Sequence, residues 1–304
     1  MPDMSTLRLA AAVGGFLLAL LAGFALGRAV TAPTGPAAAG SGYAATSGDH
    51  THPPGTQAHN HGNGADGGDG QVAGLSLSDS GYTLVPATTV LTAGVDTDFE
   101  FQVIGAGRQP VTEFEVVHEK RLHLIVARRD LTGFQHLHPE LAPDGTWSVP
   151  LRLDAPGIWR VYTDFSVREP GGTPRAMTLG VDLVVAGDYA PVGLPAATTS
   201  AQVDDFTVRM EGAPQVGASA PLLFRVTRDG VPVTDLEPYL GAYGHLVALR
   251  AGDLGYLHVH PEPDLVDGAV KFWLAAPSPG DYRLFLDFQV AGEVRTAEFT
   301  VTVD

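Results

Sequence analysis

Three hydrophobicity regimes follow one another along the chain. Leu9 to Gly27 is an unbroken run of Leu, Ala, Gly, Phe and Val bracketed by Arg8 and Arg28, and about 20 apolar residues are enough to cross a bilayer. The run predicts a transmembrane anchor over 9–30 behind a short cytoplasmic segment, 1–8. A cleaved signal peptide is the other reading, although its apolar region is commonly shorter, about 7 to 15 residues. From Thr31 to Gly70 the chain turns to Ala, Gly, Pro, Ser, Thr and Asp with almost no large apolar residue, so no core can form and 31–74 reads as a disordered linker. Beyond Gly74, short β-branched and aromatic runs alternate with polar residues at period two, punctuated by turn signals such as Asp144-Gly145 and Asp267-Gly268. That pattern predicts antiparallel strands and an all-β sandwich, and no stretch sustains an amphipathic helix.

The alternating region repeats itself. Val111-Thr112-Glu113-Phe114-Glu115 aligns with Val233-Thr234-Asp235-Leu236-Glu237 at an offset of 122, without a gap as far as Pro139-Glu140 over Pro261-Glu262. After one inserted residue, Gly157 to Phe165 lies over Gly280 to Phe288. Two tandem domains follow, 75–187 and 201–304, joined by an Ala-, Pro- and Thr-rich linker over 188–200.

Within the repeat, His123, His136 and His138 superpose on His245, His258 and His260, so both copies read His-x12-His-x-His-Pro-Glu. Side chains alternate along a strand, so His136 and His138 share a face, as do His258 and His260. Opposed residues of an antiparallel hairpin also share a face and have a constant index sum. A sum of 259 or 261 in the first copy, or 503 or 505 in the second, brings the third histidine to the same face, whereas 260 sends His123 to the other. With the favourable parity, Leu122, Leu124, Val126, Leu257 and Val259 face the core, and the histidines share the opposite face with Phe134 or Tyr256. Three imidazoles so placed can hold one ion, zinc at ~2.0 to 2.1 Å for example. Asp164 and Asp287, on a later strand, are candidates for a fourth ligand or for an acceptor of an imidazole N–H. Glu140 and Glu262 are weaker candidates. His118 aligns with Leu240 and reads as an incidental surface residue. In the linker, His50, His52, His59 and His61 form two His-x-His pairs that read either as weak metal sites or as part of a solvated tether.

Charge and composition narrow the function. The net charge of −16, with only Lys120 and Lys271 as lysines, leaves no surface for neutralising nucleic-acid phosphates. Cysteine is absent, which removes disulfides, thiolate ligands and thiol nucleophiles and leaves histidine, carboxylate and methionine as possible ligands. No Gly-x-Ser-x-Gly elbow, phosphate-binding loop or His-Glu-x-x-His occurs. Pro139-Glu140 directly after His-x-His departs from the cupin pattern, so a non-enzyme is expected, with a metalloenzyme as the remaining catalytic reading.

Lys120-Arg121-Leu122-His123-Leu124-Ile125-Val126, then Arg129-Asp130-Leu131, Phe134-Gln135-His136-Leu137-His138-Pro139 and Tyr162-Thr163-Asp164-Phe165 resemble a module of uncharacterised secreted or membrane-anchored bacterial proteins. These are of actinobacterial type, grouped with heavy-metal-associated or YtkA-like β-sandwich proteins. The second copy departs from the module in carrying Gly244 before His245. The resemblance implies an immunoglobulin-like sandwich, an envelope location and copper or zinc handling. The combined expectation is two tandem immunoglobulin-like domains held outside the cell by a single-pass anchor, each binding a copper or zinc ion. The alternative is a cell-envelope interaction module with structural or pH-sensing histidines.

Overall fold

The computed structural model describes residues 72–168, 172–257 and 259–304, with residue 260 described by its backbone. The expected anchor and the linker histidines His50, His52, His59 and His61 lie outside the described residues. Among the described residues every regular element is a strand.

The first copy is a sandwich of two five-stranded sheets. One orders Ser78–Asp79, Tyr82–Pro86, Thr97–Ile104, Thr146–Leu151 and Glu140–Leu141; the other orders Val90–Leu91, Pro174–Val185, Gly157–Arg168, Leu122–Arg128 and Gln135–Leu137. Val90–Leu91 runs parallel to Pro174–Val185 and every other pairing in the copy is antiparallel. This switching of consecutive strands between sheets is the immunoglobulin-like connectivity. Inward residues of both sheets, among them Phe99, Phe101, Leu124, Val126, Trp147 and Val161, form its core. The second copy forms a corresponding sandwich of a six- and a seven-stranded sheet around Phe206, Phe224, Phe272, Leu284 and Phe299, with Gln215–Val216 running parallel to Val270–Ala276. Asp267 and Gly268 both take positive φ and close a two-residue hairpin turn, as expected of Asp-Gly.

A third apolar cluster belongs to neither sandwich. Ile125, Ala127, Leu131 and Tyr162 from the first copy meet Val247, Leu249, Leu254, Tyr256 and Phe285 from the second. In each copy the strand bearing the first histidine is therefore buried on both faces: Leu124 and Val126 point into their own sandwich, Ile125 toward the other copy. The contact is reciprocal, each pair across it being repeated by the equivalent pair. Phe134 stacks on Phe285 with ring centroids 4.0 Å apart, and Tyr256 lies 5.7 Å from Tyr162, which occupies the Phe285 position of the first copy. The Tyr162 hydroxyl donates to the Leu254 carbonyl at 2.5 Å. Leu131 and Leu254, both at φ 62, hold a left-handed conformation that costs about 1–2 kcal/mol, and both are buried in this contact.

The expected linker ends differently from its composition. Val72–Ala73 pairs antiparallel with Tyr256–Leu257 and so extends a sheet of the second copy, while the Gly74 N–H donates to the Thr178 carbonyl of the first. Arg160 donates from Nε and Nη2 to the Gly74 carbonyl at 3.2 and 2.7 Å. Residues 72–74 thus strap the two copies together. The apolar pair Val72-Ala73 has an unpaired sheet edge to join, which outweighs the glycine-rich surroundings that read as linker.

Gly180 is where the strap passes closest, since a Cβ there would lie 2.0 Å from the Gly74 carbonyl oxygen. Gly180→Ala is expected to displace the strap and destabilise the protein by about 1–3 kcal/mol, measured by urea denaturation. Gly107→Ala, at a glycine with open space around it, is expected to fall within about 0.5 kcal/mol of the parent.

Candidate metal centre

The hairpin parity is resolved in both copies. Ile125 pairs with His136 and Leu124 with Leu137, an index sum of 261; Ala248 pairs with Leu257 and Leu249 with Tyr256, a sum of 505. His123, His136 and His138 consequently share one face, and that face is the one packed against the other copy.

The structure divides the histidines differently from the two separate triads expected. His245 of the second copy joins the first copy's set: its ring stacks on His123 at 5.2 Å and lies 5.3 Å from His136. One ring nitrogen from each of His123, His136 and His245 falls within 4.8 Å of the other two. The physical reason is the apolar contact, which brings equivalent strands face to face and so places His123 beside its own repeat-mate. His138 is 5.1 Å from His123 and 4.9 Å from His136, centroid to centroid. His258 lies outside the described residues, and the His260 side chain is likewise undescribed.

The hydrogen bonds fix the tautomers. His136 Nδ1 is 2.7 Å from Asp287 Oδ2, with both side chains only 3% exposed, and a carboxylate there accepts, so Nδ1 carries the hydrogen. His123 Nε2 is 3.2 Å from the Val117 carbonyl, which also only accepts, so Nε2 carries the hydrogen. A neutral imidazole has one N–H and one lone pair. The remaining nitrogens, His123 Nδ1 and His136 Nε2, therefore turn lone pairs on each other at 3.1 Å. Between neutral rings, two lone pairs at that distance repel, so the pair calls for a metal cation or a shared proton between the nitrogens. Two nitrogens bound tetrahedrally to one ion at ~2.0 to 2.1 Å stand roughly 3.3 Å apart. Among the described residues, His138 Nε2 and His245 Nε2 are buried without a hydrogen-bond partner, a departure from ordinary polar burial.

Burial sets the charge state. It pushes the His123 imidazole down to about 4, helped by the neighbouring His136, and His138 down to about 3, with His136 and His123 adding to the effect. His245 is depressed furthest, again by burial first and then by His136 and the other rings. Neutral imidazole is the form that ligates a metal.

The carboxylates sit across from the histidines: Asp164 pairs in register with His123, and Asp287 with His245. Each accepts from a threonine on the next strand, Thr178 at 2.9 Å and Thr296 at 2.6 Å. Asp287 orients His136 of the opposite copy rather than a histidine of its own, and Asp164 accepts from Tyr256 of the opposite copy at 3.3 Å. Glu140 is exposed at an edge, and Glu262 accepts from the Trp273 indole at 2.6 Å, so neither is part of the cluster. His118 corrects the reading of an incidental surface residue. It sits at φ 48 in the tight turn between Val117 and Lys120, 4.9 Å from His245 ring to ring. Alignment with Leu240 obscured it, because its partner lies in the other copy. Gly244 is explained too: a Cβ there would come within 3.0 Å of the Asp287 carbonyl, so glycine lets the strands close beside the cluster.

The chain belongs to the family of the domain of unknown function DUF8832, whose model matches it twice, at residues 77–182 and 201–304. No curated protein matches the chain in sequence. Among solved structures it is similar to the Escherichia coli adhesin FdeC, at 18% identity and a TM-score of 0.24, over 75% of this chain and 66% of that one, short of two thirds. It is also similar to a mutant Salmonella alpha-2-macroglobulin (12%, TM-score 0.27, 82% of this chain and 16% of that one) and to the D0-D1 domain of intimin (13%, TM-score 0.21, 71% and 96%).

The depressed imidazoles make stability pH-dependent. Between an unfolded value near 6.5 and the folded values of about 4 for His123 and about 3 for His138, the unfolded chain binds more protons, so stability rises with pH across that window. The metal-free protein is expected to keep its full stability above about pH 6.5 and to lose on the order of 2 kcal/mol per imidazole as pH falls toward 4. Urea denaturation at pH 7.5, 6, 5 and 4 measures this, and His123→Gln is expected to flatten the slope.

Proposed function

We propose that this protein is a non-catalytic transition-metal-binding protein of the cell envelope, which holds one copper or zinc ion between its two domains through His123, His136 and His245. The observation that carries the reading is the approach of two inward-turned ring nitrogens, His123 Nδ1 and His136 Nε2, to 3.1 Å, with the outer nitrogen of each ring committed to a fixed acceptor. Three further features support it. The cluster is desolvated; a carboxylate orients one ligand, in the carboxylate–histidine–metal manner; and the buried Nε2 atoms on His138 and His245 have no hydrogen-bond partner among the described residues. An all-imidazole donor set suits copper(II) and zinc alike. Asp164 and Asp287 act from outside the ligand shell. The envelope setting follows from the apolar run Leu9 to Gly27 and from the resemblance to YtkA-like and heavy-metal-associated proteins; the linker histidines His50, His52, His59 and His61 would then concentrate metal near the folded site.

The test is titration of the full chain, with asparagine at the four linker histidines, against zinc and against copper(II). One ion per chain is expected to bind tightly. His123→Gln, His136→Gln and His245→Gln should each weaken it by a hundredfold or more, and Asp287→Asn by about 10–100-fold. Unchanged binding in His245→Gln would assign the ion to the first copy alone. Absence of binding to the parent would leave the interaction module with structural histidines as the better reading.

A further inference from the structure

We infer that metal binding and the docking of the two copies are a single linked equilibrium, the ion serving as a clasp that closes the copies on each other and orders the Val72–Gly74 strap. This inference rests on the metal reading above. The donors are split: His123 and His136 come from the first copy, while His245 and the carboxylate that orients His136, Asp287, come from the second. A separated copy therefore retains an incomplete and unoriented ligand set.

The covalent connection between the copies does not hold them in register by itself. The segment 188–199 is exposed throughout and forms no strand. Docking rests on the apolar contact, on a few directed pairs such as Tyr162 to the Leu254 carbonyl, and on the strap, whose hydrogen bonds run to Tyr256–Leu257 on one side and to Thr178 on the other. Leu257 immediately precedes the second copy's own His-x-His, so the strap is anchored on the hairpin that carries that motif. An ion that needs donors from both copies binds the docked state preferentially. By linkage, it stabilises docking by the same factor by which docking raises its affinity.

The experiment is hydrogen exchange of the Val72–Gly74 amides in the full chain with asparagine at the linker histidines, with and without zinc, alongside a zinc titration. Zinc in hundredfold excess over its dissociation constant is expected to slow exchange at these amides by tenfold or more. Phe285→Ala, which removes the ring stacked on Phe134 without touching a proposed ligand, is expected to speed strap exchange and to weaken zinc at least threefold. Tyr162→Phe, a milder change that deletes only the hydroxyl bond to Leu254, is expected to act in the same direction and serves if Phe285→Ala does not fold. Zinc binding to the parent with unchanged strap exchange overturns the clasp while leaving the metal site standing. No zinc binding to the parent overturns both.

Discussion

The constraint on which the structure depends is that the histidine-bearing sheet of each copy has two apolar faces. Leu122, Leu124 and Val126 close one sandwich, but Ile125 and Ala127 on the reverse of the same strand would be left in water, as would Val247 and Leu249 in the second copy. Covering them requires a second sheet, and each copy supplies it to the other. At about 25 cal/mol per Å² of apolar surface removed from water, such side chains contribute of the order of 1.5–3 kcal/mol each when fully buried. Once the faces meet, the polar residues on the same strands have no route to solvent. His123, His136, His138 and His245 are desolvated because their neighbours are apolar, and desolvation is the largest cause of the depressed basicity of His123, His138 and His245.

Burial in this contact also explains why the polar groups are placed with such economy. An imidazole taken out of water must find partners for both nitrogens. His123 and His136 each satisfy one nitrogen with an acceptor, Val117 and Asp287, and the remaining nitrogens are turned inward together. Asp287 is 2% exposed and is held by Thr296 and His136 through directed hydrogen bonds. Asp164 repeats the arrangement with Thr178 and Tyr256. The cost of burying these groups is what an ordinary apolar interface would avoid.

Much of this was legible in the sequence. The repeat offset located both sandwiches, the period-two pattern identified their strands, and the parity of the hairpin was narrowed to sums of which 261 and 505 are the observed ones. Strand alternation correctly put Leu257 and Val259 in the core and Phe134 and Tyr256 on the histidine face. The meeting of the two copies was not legible, because an alignment compares equivalent residues without showing that they touch. The signal was nonetheless present in Ile125, Ala127, Val247 and Leu249, which are apolar where a solvent-facing strand would alternate to polar. His118 was set aside because its repeat-mate is Leu240, and a partner drawn from the other copy leaves no trace in that comparison. Residues 72–74 read as linker because glycine dominates their neighbourhood, whereas an open sheet edge decides their conformation.

Duplication gives the contact its form. Two copies that dock through the same face make each contact twice, as at the isologous interface of a two-fold dimer, and residues near the quasi-two-fold axis meet their own counterparts. His123 stacks on His245, and Phe134 against Phe285 is echoed by Tyr256 beside Tyr162. A residue that is unremarkable in one copy then gains a second instance of itself within ligand distance, so a three-nitrogen cluster arises from strands that carry the donors at ordinary spacings. The tandem connection adds what a dimer of identical chains lacks, namely freedom for the halves to diverge. Val117 and His118 in one turn are matched by Tyr239 and Leu240 in the other. His118 adds an imidazole beside His245, while Tyr239 brings a phenol, pushed up to about 12 by burial, against His138. Asymmetry of this kind makes the two sides of the quasi-two-fold cluster chemically different.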